Sequence, residues 1–231
     1  ALDRFGNTVT DNSNLIVFFE KMPANSNSFS ITPANEALGS DGEVTQTVIS
    51  GTDVGDNLRI RVFSSVPAVS DTSNPFSAIA GNALSYAFSI SNNHRIDAGK
   101  SQEIVVTAVD FYGNRDSSYT EFVEMTISED TEGYFSIAPA PIVEFTKGQG
   151  IYSVTGTKAD TFTINLTDYG SLSTDLTGYT VLPARVDSLG FENLSFLTAG
   201  VDSIVTVRAY DAYTNVLTDS VGMNILLTEA S

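Results

Sequence analysis

One short phrase occurs three times along this chain and sets the length of its folding unit. It reads ALDRFGN at residues 1–7, AVDFYGN at 108–114 and AYDAYTN at 209–215. The copies are separated by 107 and then 101 residues, which is the length of an ordinary domain. The sequence therefore predicts tandem copies of one domain type.

The match extends upstream of the phrase and shows the periodicity of a β-strand. AGKSQEIVVTAVDFYGN (98–114) aligns with AGVDSIVTVRAYDAYTN (199–215). Apolar residues occupy every second position, as expected of a strand with one buried face. The alignment places Ile104, Val106 and Ala108 over Val205, Val207 and Ala209.

Two further segments repeat in the same order along the chain. SGTDVGDNLRIRVFSS (50–65) resembles TGTKADTFTINLTDYG (155–170), and AIAGNALSYAF (78–88) corresponds to VLPARVDSLGF (181–191) at an offset of 103. The first match predicts one buried face, formed by Leu58, Ile60 and Val62 in one copy and by Phe162, Ile164 and Leu166 in the other.

The chain carries almost no signal for helices. Gly, Asn, Ser, Thr and Pro interrupt it every eight to twelve residues, and no long segment has apolar residues at spacings of three and four. Short strands at this spacing, enriched in β-branched and aromatic residues, indicate a β-sandwich. We predict an all-β chain of tandem immunoglobulin-like β-sandwich domains.

The recurring phrase itself is typical of a turn. Asp side chains bond to nearby backbone amides, Gly supplies a positive φ, and an aromatic residue packs over the turn. The third copy has Thr214 where the others have glycine, which leaves its turn type open.

The phrase A-G-x-x-x-x-[IV]-x-V-x-A-x-D-x-Y-[GT]-N and the later hairpin G-x-Y-x-V-x-G-T (150–157) carry a family resemblance. They resemble the tandem bacterial Ig-like repeats of large surface proteins, such as invasin and intimin stalk domains and filamin-type bacterial repeats. The resemblance covers essentially the whole chain. It implies Ig-like domains joined end to end outside the cell, serving as spacers, adhesins or assembly units.

Alignment of the copies divides the chain into three parts. Residues 1–80 match the C-terminal part of an Ig-like domain, 81–181 a complete domain, and 182–231 the N-terminal part of another, so the first and last copies are expected to be incomplete. Short linkers are expected near 71–80 and 176–182. Either neighbouring repeats of a longer chain complete the end domains, or copies of the chain complete one another head to tail.

Composition excludes several classes of function. The 11 basic residues against 28 acidic ones give a formal net charge of −17, which disfavours nucleic acid and anionic membrane surfaces. No apolar stretch is long enough for membrane insertion. The absence of cysteine excludes disulfides and thiolate chemistry. This composition fits the secreted or cell-surface prokaryotic location that the resemblance to bacterial Ig-like repeats implies.

Enzymatic chemistry has little support in the sequence. His94, the one histidine, lies in the polar stretch SNNHRID (91–97) without a recognisable nucleophile motif. We expect no enzymatic activity. The alternative function is a binding module for a surface glycan or protein. A glycan site would need clustered exposed aromatics, for which the candidates are Tyr112, Tyr119, Tyr134 and Tyr152.

No cofactor is certain, but calcium is considered because hard cations take oxygen ligands and stiffen junctions in extracellular arrays. The alternative is that the acidic candidates, given at the end of this paragraph, cap turns and keep the surface solvated. No EF-hand spacing is present. The candidate ligands are Asp53, Asp56, Asn57, Asp168, Asp175, Glu129, Asp130 and Glu132.

Overall fold

The computed structural model describes residues 5–8, 15–65, 68–128, 130, 132–170, 172–192, 198, 200–202 and 204–218. The predicted strand opposite residues 121–130 in the third copy, within 220–231, lies outside the described residues. The described chain is almost entirely β-structure, which confirms the all-β, Ig-like prediction. None of its described segments forms a helix long and apolar enough to cross a membrane.

The chain divides into two compact units. Unit 1 comprises Ala1–Leu84 with Val109–Ser117, and unit 2 comprises Ser85–Ala108 with Ser118–Ser231. The predicted boundaries at 80/81 and 181/182 remain a prediction.

The described residues of unit 1 form seven strands in two sheets. The larger sheet has the order β3-β1-β5-β6, with β7 also paired to β5, and the smaller one pairs β2 with β4. In chain order the strands are β1 (Ile16–Met22), β2 (Phe29–Thr32), β3 (Asn35–Ala37), β4 (Thr47–Ser50), β5 (Gly55–Ser65), β6 (Ala68–Thr72) and β7 (Phe76–Ala78).

Unit 2 contains a complete sandwich formed from the middle repeat. Its two sheets have the orders β12-β14-β10-β8 and β13-β11-β15-β16-β9, and β16 pairs with β9 in parallel. The strands are β8 (Ser85–Ile90), β9 (Arg95–Asp97), β10 (Ser101–Val109), β11 (Phe122–Ile127), β12 (Phe135–Ala138), β13 (Ile142–Glu144), β14 (Gln149–Gly156), β15 (Asp160–Asp168) and β16 (Ser173–Leu182).

The predicted inward residues form the core of this sandwich. Ile104, Val106 and Ala108 of β10 are all fully buried, as are Ile164 and Leu166 of β15. Their alternation with half-exposed neighbours confirms the period of two. Tyr152 Oη on β14 donates a hydrogen bond to Val123 O on β11 at 2.7 Å, which ties the two sheets together across the core.

The third repeat contributes the hairpin of β17 (Val186–Glu192) and β18 (Thr206–Asp211) to unit 2. The predicted linker at 176–182 is wrong, because these residues form the second half of β16. Tyr179 and Val181 are buried there, and Thr180–Leu182 pair with β9, so the strand continues to Leu182. The region 71–80 likewise contains β7 and the end of β6.

Candidate functional site: a recurring Asp–Asn clasp

The recurring phrase forms the same closed turn in the second and third repeats. Asp110 N donates to Asn114 O at 2.9 Å and Gly113 N to Asp110 O at 3.0 Å. In the third repeat Asp211 N donates to Asn215 O at 3.0 Å and Thr214 N to Asp211 O at 3.1 Å. Thr214, at φ 67°, adopts the left-handed conformation that Gly113 has at φ 84°. The open question about the third turn is thereby answered: it is the same turn.

The Asp of each turn is buried and gathers backbone amides. One carboxylate oxygen of Asp110, Oδ1, accepts hydrogen bonds from the amides of Tyr112 and Asn114, both at 2.9 Å. The other, Oδ2, accepts from Gly81 N at 3.0 Å and from Asn114 Nδ2 at 3.1 Å. Gly81 is 29 residues upstream, so this carboxylate fixes the segment that leads into the repeat.

Asp211 makes the same set of bonds. Its Oδ1 accepts from Tyr213 N at 2.9 Å and Asn215 N at 2.8 Å, and its Oδ2 from Ala184 N and Asn215 Nδ2, both at 2.8 Å. Gly81 and Ala184 are equivalent in the alignment of 78–88 with 181–191. Because Gly81 and Ala184 donate the same hydrogen bond to their aspartates, the structure bears out the match of 78–88 with 181–191.

The Asn of each turn binds a loop of the preceding repeat. Asn114 Nδ2 donates to Thr52 O at 2.6 Å, and Asn215 Nδ2 donates to Thr157 O at 2.7 Å. Asn215 Oδ1 also accepts from Ala159 N at 2.8 Å. Both threonines end a matching [ST]-G-T triplet, at 50–52 and at 155–157.

We call each arrangement a clasp. The first clasp comprises Thr52, Gly81, Asp110 and Asn114, and lies wholly within unit 1. The second comprises Thr157, Ala184, Asp211 and Asn215, and lies wholly within unit 2. In both, one short turn joins the first segment of its own repeat to a loop of the repeat that precedes it.

The clasps hold their carboxylates ionised. Burial alone would raise the pKa of Asp110, but hydrogen bonds from the Asn114 side chain and from the amides of Asn114, Gly81 and Tyr112 outweigh it and lower that pKa. The same balance lowers the pKa of Asp211, through Asn215, Ala184 and Tyr213. A buried anion with its acceptors filled makes charge-assisted hydrogen bonds, which are stronger than neutral ones.

A second polar network, which is partly buried, lies in the middle sandwich. Tyr119 Oη donates to Asp168 Oδ2 at 2.6 Å and lies 2.5 Å from Tyr86 Oη. Burial raises the pKa of Tyr119 and raises that of Tyr86 to about 12. The pKa of Asp168 is lowered because hydrogen bonds from Tyr119 and from the amides of Leu172 and Gly170 outweigh its burial. Asp168 therefore joins the turn after β15 to the two tyrosines through hydrogen bonds.

The calcium candidates that the structure describes are dispersed. Asp53 accepts from Thr52 Oγ1 at 2.8 Å, Asp175 from Asn165 Nδ2 at 2.8 Å and Asp130 from Tyr134 N at 2.6 Å. Glu132 contacts the Tyr134 hydroxyl. Asp56 and Asn57 are exposed on β5, and Glu129 lies outside the described residues.

Within the described ranges, no three acidic or histidine side chains converge as a metal site would require. Calcium stays a prediction, and bound calcium would show itself as a lower Tm in excess chelator.

The tyrosines considered for a glycan site do not form one exposed cluster. Tyr152 is fully buried and Tyr119 half-buried, whereas Tyr112 is exposed beside Phe111, with ring centroids 5.2 Å apart. Tyr152 lies apart from the exposed tyrosines because alternate residues of β14 face the core and Tyr152 is one of them. His94 lies in a 3-10 turn at Asn92–His94.

Sequence reasoning identified the clasp turn but missed the role of its asparagine. The phrase predicted a local turn held by Asp and Gly. The bonds from Asn114 and Asn215 join residues 62 and 58 positions apart, which no local pattern reveals. The one usable signal was the recurrence of Asn at the same place in all three copies, together with the repeated [ST]-G-T triplet.

No family model and no curated protein matches this chain. Solved structures similar to it include FdeC, an Escherichia coli adhesin, at 16% identity and TM-score 0.48, covering 94% of this chain and 68% of that one. Domains 4–9 of the surface layer protein SbsC match at 18% identity and TM-score 0.35, covering 94% of this chain.

A β-glycosidase from Bacteroides vulgatus matches at 14% identity and TM-score 0.38, over 70% of this chain. The chain spans 20% of the glycosidase and 31% of the SbsC fragment. Bacterial surface proteins are thus among the similar structures. At these identities and TM-scores the similarities give no information about activity.

Proposed function

We propose that this chain is a structural repeat segment of a secreted or cell-surface prokaryotic protein, serving as a stalk or as the subunit of an extracellular filament or layer. The observation that carries the proposal is the recurrence of the clasp with the same four positions and the same donor and acceptor atoms. A chain selected for an enzymatic or ligand site needs one such site, whereas a load-bearing array needs the same junction at every repeat.

The chemistry of the clasp suits a mechanical role. Tandem domains joined by short connections move relative to one another unless something holds the junction. Each clasp binds the incoming segment through Gly81 or Ala184 and the preceding loop through Thr52 or Thr157. Its carboxylate accepts charge-assisted hydrogen bonds from backbone amides, so we expect the clasp to resist bending and pulling.

Removal of both asparagine side chains tests the mechanical role. We expect Asn114→Ala with Asn215→Ala in the full chain to lower the unfolding force in single-molecule pulling and to increase flexibility in small-angle X-ray scattering. Asn165→Ala is the matched control, because Asn165 bonds Asp175 within a single hairpin. Equal behaviour of the double variant, the control and the parent chain would contradict the proposal.

Location is tested separately in the native source. Antibody labelling of intact cells and the culture medium should detect the chain without permeabilisation. Signal only after permeabilisation would contradict a surface or secreted location.

An adhesin-type binding module is the second candidate, and one feature favours it. Phe111 and Tyr112 are 80% and 60% exposed and, with Ile79 and Leu84, line a cavity of about 630 Å³ in unit 1. Stacking of a sugar ring on an exposed aromatic is a common mode of glycan binding. Glycan-array binding by the full chain that is lost in Tyr112→Ala would favour this function over a purely structural one.

A further inference from the structure

We propose that a polar cavity of unit 2 binds an anionic sugar, with Arg95 and Lys100 holding the acidic group of the sugar and Asp97 its hydroxyls. The ligand class is a saccharide that carries a carboxylate or a phosphate. This inference goes beyond the proposed structural function, which needs no ligand, and concerns a different site from the aromatic cavity around Tyr112. All residues that line the cavity belong to strands and loops of the complete middle sandwich.

The cavity lies beside the parallel pair of β9 and β16. It has a volume of about 530 Å³, which is in the range of small-molecule sites. Ile96 and Leu182 form its apolar part. A lining that is mostly polar and contains no aromatic ring favours a ligand rich in hydroxyls over a flat, apolar one. The polar residues are Asn92, Arg95, Asp97, Lys100, Ser101 and Gln102.

The two basic side chains of the cavity have no acidic partner among the described residues. The ion pairs that those residues do form use Arg61 and Arg208 instead. Arg95 and Lys100 are both exposed, so their charged ends are accessible. In a chain with 28 acidic and 11 basic residues, two unpaired cations that line one cavity create a local positive potential. That potential suits the acidic group of a ligand.

The third repeat shows that the fold does not require these cations. Extending the alignment of the second and third copies upstream places Phe196 and Val201 at the positions of Arg95 and Lys100. The Asn that begins the loop and the Ala-Gly pair that ends it are present in both copies. The loop is therefore common to both repeats, whereas its positive charges belong to the middle repeat alone.

The backbone holds the two cations in fixed places. Arg95 is part of the parallel ladder between β9 and β16. Lys100 N donates to Asp97 O at 3.0 Å and Gly99 N to Gly156 O at 2.8 Å, so the turn that carries Lys100 is closed and tied to β14. A site that is fixed before binding loses less conformational entropy when the ligand arrives.

The turn before β9 adopts a backbone conformation that needs outside support. Asn92, Asn93 and His94 all have positive φ, between 55° and 64°. Residues other than glycine rarely adopt this conformation, and three in succession are unfavourable. Gln102, which is 6% exposed, supports the turn, because its Nε2 donates to Ser91 Oγ at 2.8 Å. Strained segments of this kind concentrate at binding sites.

Asp97 distinguishes a sugar from a simple anion. Its carboxylate lines the same cavity and disfavours a free phosphate, because like charges repel. A carboxylate is only an acceptor, so it pairs with O–H donors. A sugar carries hydroxyls beside its acidic group and therefore satisfies the cations and Asp97 together.

The net charge of the chain limits the length of the ligand. A formal charge of −17 opposes a long polyanion. At an ionic strength of about 0.1 M, exposed charges farther away than about 10 Å are largely screened. A single acidic sugar, or the acidic end of a glycan, is therefore favoured over a continuous polyanion.

Amide chemical shifts of the isotope-labelled full chain test the site, with glucuronate, glucose 6-phosphate, glucose and inorganic phosphate as probes. We expect saturable shifts at residues 92–102 with glucuronate, glucose 6-phosphate or both, and none there with glucose. Binding of one acid alone identifies the acidic group as a carboxylate or a phosphate. Arg95→Gln with Lys100→Gln should weaken binding by about tenfold or more, since charge-assisted hydrogen bonds are lost.

The matched control is Arg61→Gln with Arg208→Gln, which removes the same charge outside the cavity. It should bind the acidic sugar as the parent chain does. Equal weakening in the two double variants would overturn the inference, because net charge alone would then explain binding. The absence of shifts at 92–102 with both acids would overturn it as well.

Asp97→Asn tests the recognition of the sugar hydroxyls. We expect it to weaken binding of the acidic sugar and to strengthen binding of inorganic phosphate, because the repulsion is removed together with the stronger acceptor. Equal strengthening for both probes, or phosphate binding as tight as that of the sugar in the parent chain, would mean an anion site without sugar recognition and would overturn the assignment.

Discussion

At the scale of single residues, Asp110 and Asp211 decide the geometry of the repeat. Each is almost fully buried, with 7% and 2% of its surface exposed. Each accepts one backbone amide from a residue 29 or 27 positions upstream and two from its own turn. An asparagine in their place would direct an N–H toward other N–H groups and leave a buried donor unsatisfied, which costs about 1–3 kcal/mol. The carboxylate is therefore a structural requirement and not a surface charge.

Acid should weaken the clasps. The pKa of each clasp carboxyl is lower in the folded chain than its usual value of 3.8, so its stabilising effect is complete above that pH and is lost as the pH falls through the lowered pKa. We expect Asp110→Asn with Asp211→Asn to lower Tm at pH 7 and to reduce the further loss of Tm on acidification, measured by circular dichroism.

Asp187→Asn on the exposed face of β17 is the control for this prediction, since it removes a charge without touching a clasp. It should retain the acid sensitivity of the parent chain. A double clasp variant as acid-sensitive as the parent would show that other carboxyls dominate.

Thr214 is a residue in an unfavourable backbone conformation. A β-branched residue at φ 67° costs about 1–2 kcal/mol, partly offset here by the bond from Thr214 Oγ1 to Tyr213 O at 2.5 Å. We expect Thr214→Gly to stabilise the chain by up to about 1 kcal/mol in urea unfolding. Gly113→Ala, the reverse change in the other turn, should destabilise it by a similar amount. A loss of stability in Thr214→Gly would contradict this account.

At the scale of elements, the strands were predictable and their partners were not. Alternation in the segment that forms β10 fixed which residues are buried, because a strand has only two faces. The continuation of β16 to Leu182 was missed, because it depends on parallel pairing with β9, some 85 residues upstream. The role of Asn114 and Asn215 was missed for the same reason, because their long-range hydrogen bonds leave no local pattern.

The packing of β14 against a core aromatic offers a test of the sandwich. A Cβ at Gly150 would overlap the ring of Phe145, which is 1% exposed and has no space to move. We expect Gly150→Ala to destabilise the chain by about 1–3 kcal/mol in urea unfolding. Gly81→Ala is the control, since its Cβ would make only ordinary contacts and Ala184 already occupies the equivalent site. Equal effects of the two changes would contradict the packing.

At the scale of the whole molecule, charge and apolar surface act in opposite directions. A chain with a net charge of −17 repels its copies, whereas Val69 of β6 and Leu189 and Phe191 of β17 expose apolar side chains. Salt separates these effects, because it screens repulsion between exposed charges but does not weaken the burial of apolar surface. Association through charge complementarity would respond to salt in the opposite sense.

We therefore expect self-association of the full chain to strengthen as NaCl rises from about 0.01 M to about 1 M, over which range the screening length falls from roughly 30 Å to roughly 3 Å. Sedimentation velocity at fixed protein concentration measures it. Val207→Asp, which places a charge on the inward face of β18, should abolish the effect, and Asp187→Asn should not. Association that weakens with salt would mean that opposite charges, and not exposed apolar side chains, bring the copies together.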